Sequence, residues 1–341
     1  MAFELLRRGG MATALAALPT NASSDLACLG PYKVIESIAE GGMGIVLRGQ
    51  DVRDGRMVAL KTVRSKRCSE ATGIRREIAV LAQMSHPGIV QLIADGTCRG
   101  MPWMAMELLH GQTVCETIAA LWRKPLLHLS KTSSGVRQAD DTPTMRAFSQ
   151  GTSSVPGIAL SPVRAPASAR RLSEVVRIVA QVSRALEYLH GRGLVHRDVK
   201  PANVFVGDDG RVTLLDFGLA CVAPDDATEL RPAEYCVGTM EYAAPEQIRG
   251  DAVDMRADVY SLGCVAYELV TGRRPADAAR HGGSAGPQVH SHPAPSELVS
   301  GLPCQLETLL LAMLAKRRDD RPRSAGEIAE TLEGVAGRLA S

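Results

Sequence analysis

The run His196–Asn203 and the Asp-Phe-Gly triplet that follows it carry side chains suited to moving a phosphoryl group. The run has a carboxylate at Asp198, a cation at Lys200 and an amide at Asn203. The triplet begins with a second carboxylate, Asp216. Transfer from ATP to a hydroxyl needs a carboxylate that receives the proton, a cation near the phosphate charge, and oxygen ligands for bridging metal ions. The two segments therefore predict a phosphotransfer centre that uses ATP and Mg²⁺.

The composition allows one large domain or two lobes and favours no particular class of partner. The chain has 341 residues, 45% of them hydrophobic, so it can bury a sizeable core. The formal net charge of +2 gives no reason to predict nucleic acid as a partner. The eight cysteines are scattered without a C-x-x-C pair, which is typical of a reduced, cytoplasmic protein. No apolar run reaches the roughly 20 residues that span a bilayer, so we predict no membrane span.

Short apolar runs separated by turn signals predict a small antiparallel sheet early in the chain. The predicted strands are Tyr32–Ile35, Ile45–Arg48, Met57–Lys61, Ile89–Ala94 and Pro102–Glu107. The dipeptide Asp54-Gly55 predicts a hairpin between the second and third of these strands. Apolar residues recur at helical spacing over 70–84, so we expect one amphipathic helix between the third and fourth strands.

The second half of the chain shows mainly helical periodicity. The predicted helices are Ser173–His190, Arg256–Thr271, Leu306–Ala315 and Ala325–Leu339. Gly272 directly follows the second of these helices and is a natural stop for it. Together with the preceding sheet, these helices predict an α+β fold.

Two segments have a composition that predicts little regular structure. We expect residues 1–30 to form a mobile leader. Residues 124–169 are dominated by Ser, Thr, Pro, Gly and Arg and lack apolar periodicity, so they cannot bury enough surface to offset the entropy of ordering. We therefore predict a disordered insertion there. It could serve docking or autophosphorylation, but a tolerated surface loop is the favoured interpretation.

A glycine-rich segment lies between the first two predicted strands. Its residues are Ala39, Glu40, Gly41, Gly42, Met43 and Gly44. Glycines let a backbone approach phosphate oxygens and present N–H groups to them. A dinucleotide-binding fingerprint would need a helix after the glycines, and a strand follows here instead. Lys61 on the third strand and Glu77 on the predicted helix add a cation and a carboxylate.

Taken in order, these motifs resemble those of the eukaryotic-type (Hanks-type) serine/threonine protein kinases. The matching motifs are the glycine loop, Val58–Lys61, His196–Asn203, Asp216–Gly218, Gly238–Glu246 and Asp258–Gly263. The residues of two motifs, Ala202-Asn-Val and Ala244-Pro-Glu-Gln, resemble those of the bacterial branch of that family. The resemblance covers about 32–336 apart from the insertion, and it departs from the family pattern at Ala39, where the family has its first glycine.

The resemblance implies a bilobal α+β fold of the protein-kinase type. We expect a kinase domain over 31–336, with a small antiparallel N-lobe sheet and one main helix over about 31–108. The mainly helical C-lobe would cover about 109–336, interrupted by the insertion at about 124–169. Residues 337–341 would then form a short tail.

The resemblance also implies how ATP would be held. The glycine loop and Lys61 would contact the phosphates, and Lys61 would pair with Glu77. Backbone groups of Glu107 and Leu109 would form hydrogen bonds with adenine. The side chains around the ring would be those of Val46, Ala59 and Phe205, with Met106 limiting the pocket behind it.

The catalytic roles fall on the opening motif and the triplet. Asp198 would orient the acceptor hydroxyl and accept its proton as transfer proceeds. Lys200 would neutralise the γ-phosphate in the transition state. Asn203 and Asp216 would supply the oxygen ligands for Mg²⁺.

Two further contacts implied by the resemblance are architectural. His196 and Phe217 would stack between the lobes, with Leu81 of the predicted helix as another member of the stack. Glu246 would pair with Arg321, and a buried ion pair of this kind is costly to break from one side.

The resemblance also suggests a switch at the catalytic loop. Asp258 has an architectural role there, since it would form hydrogen bonds with the backbone near His196 and Arg197. Arg197 would receive a phosphate from the activation segment, a charge-assisted contact that orders the segment. The candidate acceptors there are Thr228 and Tyr235, and we expect autophosphorylation at Thr228.

The acceptor class follows from two positions. Lys200 after the base and Thr239 after Gly238 resemble the pattern of serine/threonine-specific members, so we expect hydroxyls of protein substrates. A pseudokinase scaffold stays open as an alternative, favoured only by Ala39 and the insertion. A small-molecule phosphotransferase of related fold stays open as well, although such enzymes lack the Ala-Pro-Glu element and the long activation segment. A transient homodimer is also left open.

Overall fold

The structure, a computed structural model, describes residues 28–41, 44–63, 68–122, 165–166, 168–222, 240–280 and 292–340. The first part of the described chain forms a six-stranded antiparallel sheet. Its strands are β1 (Cys28–Leu29), β2 (Tyr32–Gly41), β3 (Gly44–Asp51), β4 (Met57–Thr62), β5 (Leu92–Cys98) and β6 (Met101–Glu107). They lie in the order β1-β2-β3-β4-β6-β5, and helix α1 (Cys68–Leu81) connects β4 to β5.

Both faces of this sheet bury apolar side chains because successive residues of a strand point to opposite sides. On one face, Tyr32 and Trp103 meet edge to face at 5.7 Å between ring centroids and belong to one apolar cluster. Met104, the next residue of β6, belongs instead to the core that includes Leu81 of α1. Helix α1 therefore lies on the face opposite to Trp103, where Glu77 can reach β4.

The second part of the described chain is mainly helical. Its helices are α2 (Val114–Trp122), α3 (Ala169–His190), α4 (Pro245–Arg249), α5 (Arg256–Thr271), α6 (Pro275–Arg280), α7 (Pro295–Leu298), α8 (Cys304–Met313) and α9 (Ala325–Ala340). Short strands accompany them: β7 (Gly111–Thr113), β8 (Ala165–Pro166), β9 (Leu194–Val195), β10 (Val204–Gly207), β11 (Val212–Leu214), β12 (Cys221–Val222) and β13 (Val299–Ser300).

The core of this helical part is built around α5. Leu262 and Val265 of α5 pack with Leu186 of α3 and Leu332 of α9 in one continuous apolar cluster. Nearly every residue of α5 is buried, including the charged side chain of Asp258. Helix α5 can therefore serve as a rigid support for the loops around it.

The fold class is confirmed: an antiparallel sheet with one main helix is followed by a mainly helical part. Helix α5 has the bounds that the sequence predicts, and Gly272 ends it in the left-handed conformation at φ 69°. A second hairpin lies at Asp208-Asp209-Gly210, where β10 and β11 pair antiparallel around it.

Several predicted boundaries are wrong, among them those of the leader, of α3 and of the tail. Cys28 and Leu29 pair with β2, so the assigned leader, 1–30, ends in an edge strand. The helix predicted from Ser173 begins at Ala169, because the Ser168 side chain caps it by accepting a hydrogen bond from Arg171 N. The assigned tail, 337–341, overlaps α9, which runs to Ala340.

The end of the predicted insertion, 124–169, also needs correction. Within this range the structure describes β8, which pairs in parallel with β13, and the start of α3. These last residues of the segment are regular because strand β13 and the cap of α3 supply hydrogen-bond partners. The greater part of the predicted insertion lies outside the described residues.

The strand predicted at Ile89–Ala94 instead runs over β5, Leu92–Cys98. Ile89 forms only an isolated bridge with Leu214 of β11, and Val90 N donates to Leu214 O at 3.2 Å. The apolar residues at 89–90 therefore pack against the helical part rather than extend the sheet. Strand β5 then turns into β6 at Arg99 and Gly100, both with positive φ.

Among the described helices, none is both long enough and apolar enough to cross a membrane.

Candidate active site

Asp198 lies in the loop between β9 and β10, with both neighbouring polar side chains of the opening motif turned toward it. Its Oδ2 atom accepts hydrogen bonds from Lys200 Nζ at 2.7 Å and from Asn203 Nδ2 at 2.9 Å. Its Oδ1 atom is buried and has no hydrogen-bond partner within the described part of the chain. Lys200 and Asn203 thus hold the Oδ2 atom in place, and the Oδ1 atom can accept a hydrogen bond from another group.

The environment of Asp198 favours the protonated form more than water would. The residue is 3% exposed. Burial raises the pKa of Asp198, and the positive charge of Lys200 opposes that rise without cancelling it. A carboxylate with a raised pKa is a better proton acceptor, as a general base requires.

Asp216 follows β11 and lies close to Lys61, the cation predicted on β4. Lys61 Nζ of β4 donates to Asp216 Oδ1 at 3.2 Å. Burial alone would raise the pKa of Asp216, but the charges of Lys61 and Lys200 outweigh it and hold that pKa below its usual range. Asp216 is therefore an anion at neutral pH, as a ligand for a cation must be.

Lys61 and Glu77 form the buried ion pair that the resemblance implies. Lys61 Nζ donates to Glu77 Oε2 at 2.6 Å, and Glu77 Oε1 accepts from Phe217 N at 3.3 Å. Burial would lower the pKa of Lys61, but the carboxylates of Asp216 and Glu77 outweigh it and raise that pKa. Helix α1, strand β4 and the Asp-Phe-Gly triplet are thus tied together by one cation.

The loop that contains His196 and Arg197 is held by α5. Asp258 is fully buried and accepts hydrogen bonds from His196 N and Arg197 N, each at 2.8 Å. His190, the last residue of α3, places its Nε2 atom 2.8 Å from the same carboxylate. The Asp258 contacts agree with those implied by the resemblance. The His190 contact was not predicted, because only the folded chain brings the two residues together.

Arg197 and Asp216 have backbone conformations that the sequence does not reveal. Their φ angles are 66° and 61°, in the left-handed region that costs non-glycine residues of order 1–3 kcal/mol. Surrounding contacts must therefore hold them. For Arg197, Asp258 accepts from its N–H and Gln247 Nε2 donates to its carbonyl at 3.1 Å. Gln247 belongs to the motif Ala244-Pro-Glu-Gln, but nothing in its local pattern points to Arg197.

Two implied structural contacts are present. His196 and Phe217 stack at 4.7 Å between ring centroids, and Leu81 is almost fully buried in the core shared with Phe217. Arg321 donates to both oxygens of Glu246, at 2.6 and 2.9 Å. The two sets of contacts fix the triplet and the end of the activation segment to the rest of the fold.

The glycine loop is the turn between β2 and β3, with Glu40 opposite Ile45 and Gly41 opposite Gly44. Gly42 and Met43 lie outside the described residues, and Ala39 pairs with Val46. Gly44 has a φ of 134°, and a Cβ atom there would lie 2.3 Å from the carbonyl oxygen of Thr62. Only glycine fits at that position, whatever the loop binds.

The side chains predicted around adenine lie on the inner strands β3, β4 and β6 of the sheet, on β10, and at Leu109 after β6. Ala59 of β4 pairs with Met106 of β6 in the sheet, and both are buried. Leu109 and Phe205 line a common cavity of about 280 Å³ below the segment that follows β6. Val46 packs against the same core as Ala59. Val46, Ala59 and Met106 thus share one core, and Leu109 and Phe205 share one cavity; their contact with adenine stays a prediction.

The predicted phosphorylation sites Thr228 and Tyr235 lie outside the described residues. Arg197, their predicted partner, is 4% exposed, and its Nε atom has no hydrogen-bond partner in the described part of the chain.

The donor set fits a hard divalent cation. Lys61 and Gly218 N contact the Oδ1 atom of Asp216, which leaves Oδ2 for another ligand. Asn203 uses its Nδ2 atom to donate to Asp198, so its amide oxygen is the atom left for a metal. Leu215 N donates to Asn203 O at 2.9 Å and holds the two segments side by side. Carboxylate and amide oxygens are the ligands that Mg²⁺ prefers.

A family model described as the protein kinase domain matches residues 32–138 and 160–331. The chain belongs to the protein kinase family. The prediction of a Hanks-type serine/threonine kinase of the bacterial branch is confirmed, because the relatives found for this family member are bacterial serine/threonine-protein kinases.

Two relatives show how far this likeness extends. The "Probable serine/threonine-protein kinase PknB" of Bifidobacterium longum is 30% identical over 315 residues, which cover 87% of this chain and 38% of the relative. The "Serine/threonine-protein kinase PknB" of Mycobacterium tuberculosis is 30% identical over 312 residues, covering 89% and 42%. This kinase-family chain thus spans about two fifths of the length of these curated relatives.

A solved structure supports the fold. The kinase domain of Mycobacterium tuberculosis PknI matches with a TM-score of 0.57 and 25% identity, over 90% of this chain and 97% of that one. The bilobal kinase fold predicted from the sequence is therefore confirmed.

Proposed function

We propose that the chain is a protein serine/threonine kinase that transfers the γ-phosphoryl group of ATP to hydroxyls of protein substrates. The observation that carries this proposal is the buried carboxylate of Asp198, whose Oδ1 atom has no partner among the described residues while Lys200 and Asn203 hold Oδ2. This arrangement presents one oriented proton acceptor beside a cation. The relatives named serine/threonine-protein kinases support the same acceptor class.

In the transfer step one bond to phosphorus forms, one breaks, and one proton moves. The acceptor oxygen forms a bond to the γ-phosphorus, the bond from that phosphorus to the β,γ-bridging oxygen breaks, and ADP leaves. The acceptor proton passes to Asp198. Lys200 lies 2.7 Å from Asp198 and can stabilise the charge on the transferred group.

Lys61 and the metal ligands have complementary parts in this proposal. Lys61 would bind the α- and β-phosphates from the position that Glu77 and Asp216 impose on it. Asp216 and Asn203 would hold Mg²⁺, which supplies charge neutralisation of the phosphates. The ATP requirement favours the cytoplasm as the place of reaction.

The test is incubation of the purified chain with γ-labelled ATP, Mg²⁺ and a generic basic protein, followed by phosphoamino acid analysis. We expect label on serine and threonine, and none with Asp198→Asn. Label on tyrosine alone would contradict the acceptor class. ATP binding without any transfer would favour a scaffold, and label only in small molecules would favour a small-molecule phosphotransferase.

Autophosphorylation at Thr228 is part of the proposal. The buried guanidinium of Arg197, beside the catalytic base, supports it because such a group can receive a phosphate. Phosphopeptide mapping after incubation with Mg-ATP should find Thr228 modified in the wild type and unmodified in Asp198→Asn. An unmodified Thr228 in the active wild type would remove this part of the proposal.

A further inference from the structure

The carboxylate of Glu107 joins the sheet to the helical part behind the segment that connects them. Glu107 is the last residue of β6. Its N–H donates to Gln91 O at 3.0 Å, and its Oε1 atom accepts from Gln91 N at 3.0 Å, so backbone and side chain hold the same neighbour. Its Oε2 atom accepts from Arg211 Nη2 at 2.6 Å. A single residue at the end of β6 therefore bridges the sheet and the β10–β11 hairpin.

The hairpin at the other end of this bridge is itself fixed. Gln181 of α3 accepts a hydrogen bond from Val212 N at 3.0 Å and donates to Gly210 O at 3.2 Å. Arg177 of α3 donates to the same carbonyl. The ion pair thus connects Glu107 to an element anchored on a long buried helix rather than to a free loop.

The same hairpin carries the predicted floor of the adenine site. Phe205 lies on β10, and Arg211 closes the hairpin that β10 begins. Arg211, Phe205 and Leu109 line one cavity of about 280 Å³. Through Arg211, Glu107 is thus linked to the hairpin that carries Phe205.

We propose that Glu107 and Arg211 are positioning residues that set the Glu107 carbonyl for its hydrogen bond with the adenine amine. This inference rests on the proposed function, in which that carbonyl binds adenine. The contacts with Gln91 restrict rotation of the Glu107 backbone on the sheet side. The contact with Arg211 sets the height of the same backbone above Phe205. Neither side chain needs to touch the nucleotide for this to act.

The exposed fractions of the two side chains limit how much their ion pair can contribute to nucleotide affinity. The side chains of Glu107 and Arg211 are 17% and 34% exposed, so water screens their attraction in part. Pairs of this kind contribute up to about fivefold in an equilibrium constant. Because the hydrogen bond with the adenine amine is the contact affected, the loss of affinity should be largest for nucleotides that have this amine.

The experiment compares two nucleotides on three variants of the full chain. The variants are Arg211→Gln, Glu107→Gln and their combination, and the ligands are ATP and purine riboside triphosphate, which lacks the 6-amino group. We expect Arg211→Gln to weaken ATP binding by about threefold to fivefold and the analogue by clearly less. The combination should bind ATP no more weakly than Glu107→Gln alone, because both changes remove the same pair. In transfer assays of Arg211→Gln the KM for ATP should rise more than kcat falls.

Arg184→Gln provides the matched control, since Arg184 forms a part-exposed ion pair with Glu333 between α3 and α9. It should leave the affinities for both nucleotides unchanged. Equal losses for ATP and the analogue, or additive losses in the combined variant, would overturn the positioning role. Unchanged affinities in all variants of a chain that binds ATP would overturn it as well. A wild type that binds neither nucleotide would instead overturn the proposed function.

Discussion

The ammonium of Lys61 donates a hydrogen bond at 2.6 Å to the carboxylate of Glu77, across the gap between β4 and α1. The two side chains are 9% and 2% exposed. A charged side chain is buried at low cost only when it has a partner of opposite charge. Lys61 and Glu77 therefore each offset the desolvation cost of burying the other. The pair therefore links the stability of the fold to the position of the cation in the candidate site.

Replacing Lys61 by Met should harm both stability and transfer. Loss of the cation leaves the Glu77 carboxylate buried without its partner, which costs about 3–5 kcal/mol of unfolding free energy. Loss of its contact with the phosphates should lower kcat/KM about 100-fold or more. Urea unfolding and the labelled-ATP assay measure the two effects separately.

The double variant Lys61→Met/Glu77→Gln is the control for that prediction. It removes both charges, so it should recover most of the unfolding free energy and none of the transfer activity. Equal unfolding free energies for the wild type and Lys61→Met would contradict a stabilising role of the pair.

Replacing Asp198 by Asn should abolish proton acceptance while keeping the fold. The Asn side chain retains an oxygen for Lys200, which lies 2.7 Å from the carboxylate in the wild type. We expect kcat to fall by about 10²–10⁴ with little change in ATP affinity. Steady-state kinetics and nucleotide titration check this. A kcat within a few fold of the wild type would remove Asp198 from the role of base.

The sequence predicts those parts of the fold that depend on local pattern. Helix α5 has its predicted bounds because Gly272 directly follows its last residue and adopts the left-handed conformation that ends it. Strand β5 was misplaced because Ile89, which is apolar like a strand residue, bridges to Leu214 of a distant element. Local periodicity cannot distinguish these two partners.

The candidate site was predicted as a set of residue types but not as a set of backbone conformations. The positive φ angles of Arg197 and Asp216 come from contacts made by distant elements. Gln247 reaches Arg197 O from α4, and His190 reaches Asp258 from the end of α3. Such support depends on the packing of whole helices, so the order of residues along the chain does not reveal it.

Asp258 should make the stability of the fold depend on pH in the acid range. Burial alone would raise its pKa, but the contacts with His190 and with the backbone of His196 outweigh it and hold that pKa below the usual value of 3.8. The folded state then binds fewer protons than the unfolded state, so stability rises with pH through this window. The contribution is fully present above about pH 4 and is lost as the pH falls through the folded-state pKa.

Asp258→Asn tests this dependence. Each hydrogen bond to a charged group is worth about 1.5–3 kcal/mol, so the variant should be destabilised by about 2–4 kcal/mol at pH 7 and lose less stability than the wild type on acidification. Urea unfolding between pH 3 and pH 7 measures both. Asp251→Asn, at an exposed carboxylate, is the control and should leave the curve unchanged. Parallel curves for Asp258→Asn and the wild type would contradict the assignment.

Breaking the ion pair between Glu246 and Arg321 should cost more unfolding free energy when the arginine is replaced than when the glutamate is replaced. The two side chains are 5% and 0% exposed, and Arg321 also donates to the carbonyls of Ala315, Arg256 and Lys316. Glu246→Gln should lower the unfolding free energy by about 3 kcal/mol, and Arg321→Met by about 5 kcal/mol.

A double-mutant cycle measures the coupling of this pair. Because the second change removes a charge already without its partner, the double variant should be less destabilised than the sum of the single variants. Arg249→Gln breaks an exposed pair with Asp251, whose side chains are 59% and 53% exposed, and should cost less than about 0.5 kcal/mol. Additive single effects would mean that Glu246 and Arg321 stabilise the fold through their other contacts and not through each other.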